Sequence, residues 1–139
     1  MIVTLARINE HYLLEAKGPR GIPVRIDDQV DGVTHGASPM ELLLMGVGGC
    51  SAIDMISILT KQRQKISSYK VEVEGIRKQV GEARPFESIC VKIFLEGEIK
   101  EVLAKKAGIL TFEKYCSVSI TLKGCVDVRH EIFVNGNLI

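Results

Sequence analysis

The chain has no tryptophan, only 3 tyrosines and 4 phenylalanines, and 18 Lys and Arg against 17 Asp and Glu in its 139 residues. Each shortage removes a class of function. A net charge of +1 supplies no field to gather a polyanion, and scarce aromatics leave few platforms on which bases could stack. Nucleic acid is therefore not an expected partner. The opening stretch, Met1-Ile2-Val3-Thr4-Leu5-Ala6-Arg7, lacks the basic region and sustained apolar run of a secretory signal, so a cytoplasmic location is expected. No Cys-x-x-Cys pair exists, and His11, His35 and His130 are scattered, so neither a metal nor another cofactor is expected. Four cysteines in an intracellular chain with an adequate core do not suggest a structural disulfide framework.

What is present is a hydrophobic fraction of 46%, enough for a single domain over residues 1–139 with its own core. The most apolar segment runs from Leu42 to Leu59, but Asp54 interrupts it and Glu41 precedes it. Its longest uncharged run, Leu42 to Ile53, is shorter than the roughly 20 residues a bilayer requires. The segment is read as a core helix and no membrane is expected.

Residues 2–8 and 11–16 alternate around Asn9-Glu10 as a hairpin, and Ile22–Ile26 follows the Gly18-Pro19-Arg20-Gly21 turn as a third short strand. Asp27–Ala37 is a loop with His35 near its end. Ser38-Pro39-Met40-Glu41 then carries an N-cap serine, a proline at the first helical position and a glutamate that closes a capping box, which starts a helix over 39–62. Its apolar residues cover nearly the whole circumference, and Gly46, Gly48 and Gly49 each cost about 1 kcal/mol relative to alanine, so another backbone or a ligand is expected close to them. Tyr69–Ile76 and Ile89–Leu95 read as two long antiparallel strands. Ile99–Leu110 has helical spacing, Thr111 is read as the cap of a further helix over Phe112–Leu122, and Val126–Val134 is a closing strand. The fold class is α+β, with helices packed on antiparallel sheet. One sheet face is a thin cover for so apolar a helix, which predicts that a second copy buries Ser38–Leu59 in a dimer.

Cys90 lies in a strand and Cys125 opens the last one, and both read as small core hydrophobes. Cys50 and Cys116 each lie inside an apolar helical stretch. They can be core residues too, or a redox pair, and the second reading needs a cation to stabilise the thiolate. Lys114 is two residues before Cys116; for Cys50 the candidates are Arg25 and Arg20, with Glu41, first of all a cap, available to orient an arginine. If both thiols face one pocket, a thiolate can open a peroxide O–O bond, leave as sulfenic acid and condense with the second thiol to a disulfide that an external dithiol reduces. An apolar lining would favour organic peroxides over hydrogen peroxide.

The stretch Ser38-Pro39-Met40-Glu41-Leu42-Leu43-Leu44-Met45-Gly46-Val47-Gly48-Gly49-Cys50-Ser51-Ala52-Ile53-Asp54, together with Glu113-Lys114-Tyr115-Cys116-Ser117-Val118, resembles the OsmC/Ohr family of osmotically induced and organic-hydroperoxide-resistance proteins. The resemblance implies an intertwined homodimer in which sheets enclose long central helices, and a peroxidase in which Cys50 attacks the peroxide and Cys116 resolves it, with an external reductant such as a lipoyl-type dithiol. It also implies an arginine and a glutamate that activate the first cysteine. Arg25 is the better positional match and Arg20 the second. The family's glutamate follows the proline directly, where this chain has Met40, and Glu41 comes one place later, about 100° round the helix. Two functions remain in view: a peroxidase of organic hydroperoxides, and a thiol-based sensing or binding dimer for reactive sulfur species or apolar ligands.

Overall fold

The computed structural model describes residues 1–139, which divide into two compact units, Met1–Leu43 and Leu44–Ile139. In the first, β1 (Thr4–Arg7), β2 (Leu14–Lys17) and β3 (Pro23–Ile26) form an antiparallel meander. Cross-strand neighbours include Ala6 with Glu15 and Glu15 with Arg25. The loop after β3 is organised by buried Asp27, whose carboxylate accepts hydrogen bonds from the backbone N–H of Asp28 (2.9 Å) and of His35 (2.9 Å). The loop delivers the chain to helix α1 (Pro39–Lys61) through the reciprocal capping box that the sequence spells. The N–H of Ser38 donates to Glu41 Oε2 at 2.7 Å, and the N–H of Glu41 donates to Ser38 Oγ at 3.3 Å.

In the second unit α1 continues into a four-stranded sheet ordered β4 (Lys65–Arg77), β5 (Phe86–Glu98), β6 (Asp127–Val134) and β7 (Asn137–Leu138). β4 and β5 are the two long antiparallel strands expected. β6 departs from the antiparallel expectation: it lies parallel to β5, Ile93 beside Ile132 and Leu95 beside Val134. The reason is the connection. A parallel pair needs a crossover, and the helical stretch between the strands provides one. β7 turns back on β6 as a short hairpin.

Period-two alternation divides the sheet's residues by face. Ile89, Val91, Ile93, Leu95, Ile132 and Val134 are buried. Each contributes about 1.5–3 kcal/mol by leaving water. On the opposite face Phe94 stacks on Phe133, ring centroids 4.8 Å apart. Helix α2 (Glu101–Leu110) comes close to β6 at Gly108, where an added Cβ would meet Ile132 Cδ1 at 2.5 Å.

Within α1 the buried side is Val47, Gly48, Ser51, Met55 and Leu59. Gly48 does serve close approach, but the neighbour is a side chain and not a backbone: a Cβ there would stand 2.8 Å from Val73 Cγ2 on β4. Nothing lies within 4 Å of a Cβ at Gly49. The other side of α1 carries apolar residues in the open, with Met45 58% and Ile53 71% exposed. By length and composition α1 could cross a bilayer, yet Val47, Met55 and Leu59 have no exposed surface at all, as in a core helix.

Candidate functional site

Cys50 and Cys116 are 66 positions apart in the chain (116 − 50), and the second unit brings them together. Cys50 is half-buried on α1. One turn further along the same face stands Asp54, since residues four apart on a helix lie one above the other. Cys116 arrives from a different element. The expected helix over Phe112–Leu122, capped by Thr111, is not formed; α2 instead runs on into a single π-helical turn (Thr111–Tyr115), which gives way to the short helix α3 (Ser117–Leu122). The N–H of Cys116 closes the wider turn on the carbonyl of Thr111 at 2.8 Å. Such turns insert a residue into a helical run and re-aim the chain on their C-terminal side. Cys116 thus leaves the helix, with φ −67° and ψ 94°, at the N-cap of α3 and not inside its first turns.

The result is a cluster of three donor atoms, Cys50 Sγ, Cys116 Sγ and a carboxylate oxygen of Asp54, all within 4.8 Å of one another. Cys116 is fully buried, and the Ser119 hydroxyl donates to its sulfur at 3.1 Å. Burial pushes the Cys116 thiol up from its ordinary value; hydrogen bonds from Ser119 oppose this and the neighbouring Cys50 reinforces it. Lys114, expected to help, lies instead with its amine 5.4 Å above the Tyr115 ring.

Asp54 has no ion-pair partner, and its Oδ2 is buried with no hydrogen-bond partner. Burial raises its carboxyl above the ordinary aspartate value. That direction makes the group a liability at neutral pH. Below 3.8 the carboxyl is protonated folded or unfolded and costs nothing; as pH rises through the higher folded value, the folded state must ionise a desolvated group, so stability is lost. Asp54→Asn should therefore unfold at higher urea than wild type at pH 7, by under about 1 kcal/mol given the partial exposure. The gap should close as pH falls toward 3.8, with a chelator present throughout. An unchanged or lower midpoint at pH 7 would refute the desolvation cost.

Two hollows lie near this region. One of about 350 Å³ is lined by Asp54, Ser57, Ile58, Gln62, Leu110 and Tyr115, among others, and holds a second unpartnered buried oxygen, Gln62 Oε1. The larger, of about 590 Å³, is bounded by Phe112, Ser119, Cys125 and His130 among its lining residues and contains neither clustered thiol. Position decides between them, and the smaller one adjoins the cluster through Asp54.

The remaining sequence candidates belong to other segments of the chain. Arg20 and Arg25 are exposed in the first unit, Arg25 on β3 and Arg20 in the turn before it. Glu41 is exposed and its carboxyl is held below the usual carboxylate range by hydrogen bonds from Ser38, the backbone N–H first. Cys90 is half-buried. Cys125 is exposed, which corrects its reading as a core residue: it comes after Gly124, at φ +88°, in the turn before β6 and not in the strand itself. Asp54 is the residue that sequence reasoning misses. Its charge reads as an interruption of an apolar run, although Cys50-x-x-x-Asp54 in a helix already places both groups on one face.

A family model described as OsmC-like protein matches residues 31–131. Protein YhfA of Escherichia coli K12 is 39% identical over 94 residues, which are 67% of this chain and 69% of YhfA. Among solved structures, a hypothetical protein from Aquifex aeolicus superposes with a TM-score of 0.81 at 29% identity, covering 96% of both chains. A structure described as an organic hydroperoxide resistance protein OsmC from Legionella pneumophila superposes with a TM-score of 0.71, again covering 96% of both, at 16% identity, a likeness of fold.

Proposed function

Because the chain belongs to the OsmC-like protein family, we propose that it is a thiol-dependent peroxidase of organic hydroperoxides, a single OsmC-like domain working in the cytoplasm as a homodimer. The observation that carries this reading is the meeting of Cys50 and Cys116 within 4.8 Å, one half-buried on α1 and one sealed at the N-cap of α3. In the reaction Cys50 thiolate attacks the distal oxygen of ROOH. The O–O bond breaks, ROH leaves with a proton, and Cys50 becomes a sulfenic acid. Cys116 then attacks that sulfur, an S–S bond forms and water departs. An external dithiol, lipoyl-type on this reading, is oxidised to its own disulfide as it returns both thiols. Arg25, with Arg20 as the second choice, stabilises the Cys50 thiolate and Glu41 orients the arginine. Ile58, Leu110 and Tyr115 in the adjoining hollow suit an organic R group better than a water-like peroxide.

The homodimer covers the apolar side of α1. Isolated exposed isoleucines are ordinary, but Met45, Ile53 and Ile56 on one long helix form a stripe that water tolerates poorly. Ile53→Lys should shift the protein from dimer to monomer in analytical ultracentrifugation, raising the dimer dissociation constant by about a hundredfold or more, since an unpaired charge in an apolar interface costs several kcal/mol. A dimer of unchanged affinity would place the interface on another face.

A second reading, a thiol-based sensor or binding dimer with slow turnover, draws on two observations: the Glu41 carboxylate is committed to the capping box, and Asp54 sets a further anion beside the thiols. Steady consumption of cumene hydroperoxide in the presence of a dithiol, dependent on Cys50, separates the two. A burst of one equivalent and then silence favours the sensor.

A further inference from the structure

We propose that the reduced protein binds a zinc ion at a site made of Cys50 Sγ, Cys116 Sγ and the Asp54 carboxylate, with water in the fourth position. The three donors lie within 4.8 Å of one another. A tetrahedral zinc ion with sulfur at about 2.3 Å sets the two sulfurs about 3.8 Å apart. The closure required is therefore about 1 Å at most between the sulfurs and about 1.3 Å at most between a sulfur and the carboxylate oxygen. Cys50 and Asp54, one turn apart on α1, can supply it by side-chain rotation, without moving the π-turn that fixes Cys116.

Donor chemistry selects the metal. Two thiolates reject magnesium and calcium, which prefer all-oxygen shells, and the carboxylate argues against copper(I). Two sulfurs, one oxygen and an open position are within zinc's habits, and the open position is that of a reactive or exchangeable site and not of a closed structural one. Charge points the same way. Ionised, the three groups would carry like charge in partly dry surroundings, no lysine or arginine pairs with Asp54, and its Oδ2 lacks any partner. A divalent cation supplies both the missing countercharge and the missing ligand. Second-sphere support is present, since Ser119 already donates to the Cys116 sulfur.

The site shares its residues with the peroxidase reading but does not depend on it. Zinc on Cys50 would withhold the nucleophile, so on that reading the metal is an inhibitor that also shields the thiols from oxidation. A disulfide would have no place for it.

The test uses metal-free, fully reduced, full-length protein under anaerobic conditions, with no peroxide, so that failure of the peroxidase reading leaves it untouched. Titration with Co2+ should produce the intense ligand-field bands of a tetrahedral centre and a thiolate charge-transfer band, saturating at one equivalent per chain and bleached by Zn2+. Cys50→Ser and Cys116→Ser should lose charge-transfer intensity, Asp54→Asn should bind at least about tenfold more weakly, and the Cys90→Ser/Cys125→Ser double variant should match wild type. Where a cysteine variant fails to fold by circular dichroism, zinc protection of Cys50 and Cys116 from alkylation in the wild type, read by mass spectrometry, takes its place. An octahedral cobalt spectrum, wild-type affinity in Asp54→Asn, or alkylation indifferent to zinc each overturns the proposal.

Discussion

Cys50→Ser is expected to bring cumene hydroperoxide consumption, measured with a dithiol reductant in excess, down to background, a loss on the order of a thousandfold or more. The size comes from replacing a thiolate by a hydroxyl: serine has no appreciable anionic form near neutrality, and Cys116, the other thiol of the cluster, is sealed. The sister variant should behave differently. Cys116→Ser retains the attacking thiol, so with the dithiol left out it should destroy about one equivalent of peroxide per chain and then hold a sulfenic acid that a dimedone-type reagent traps. The contrast comes from burial. Cys50 is half-exposed, whereas Cys116 is sealed and its thiol is pushed up by burial, which suits a group that acts second on a sulfur already delivered to it. Equal loss in the two variants would make them interchangeable and remove the assignment of roles. Undiminished turnover in Cys50→Ser would move the chemistry to another residue altogether.

How much of this is legible in the amino-acid order depends on the range of the interaction concerned. The capping box at Ser38 and Glu41 is written within four residues, and the helix begins where it says. Strands β4 and β5 announce themselves by alternation, because one face is buried and the other is not. Direction is another matter. Alternation in β6 is the same whether its neighbour runs parallel or antiparallel, and the clue lies in the helical crossover before it. Thr111 looks like a cap because threonine caps helices; here its hydroxyl is buried without a partner inside a continuous helical run, and only the i to i+5 bond of Cys116 reveals the widened turn. The meeting of Cys50 with Cys116 is a long-range fact that no spacing rule reaches, and the family resemblance supplies the pairing. Asp54 is the reverse case, a local signal at helical spacing from Cys50, readable in principle and masked by the apolar run it interrupts.

The largest expected effect on stability comes from Gly97. Gly97→Ala should lower stability by about 3 kcal/mol or more and the melting temperature by roughly 10 °C. Gly97 has φ +135°, outside the range L side chains adopt, and it faces a bulge: pairing slips from Ile66 with Gly97 to Ser68 with Glu96, leaving Ser67 as the extra residue. An added Cβ would stand 2.1 Å from the Lys65 carbonyl oxygen and 2.9 Å from the Ser67 nitrogen, both backbone atoms that cannot rotate away. The residue cannot relax alone, because the Asn135 side chain holds it from the other side, accepting from Gly97 N–H at 3.0 Å and donating to its carbonyl at 3.1 Å. Gly124→Ala is the control. Its φ of +88° carries the same kind of backbone penalty, but nothing lies within 4 Å of the added methyl, so the cost should be only about 1–2 kcal/mol. If the two alanines lower the melting temperature equally, the contact with Lys65 contributes nothing, and the bulge tolerates a side chain that its geometry forbids.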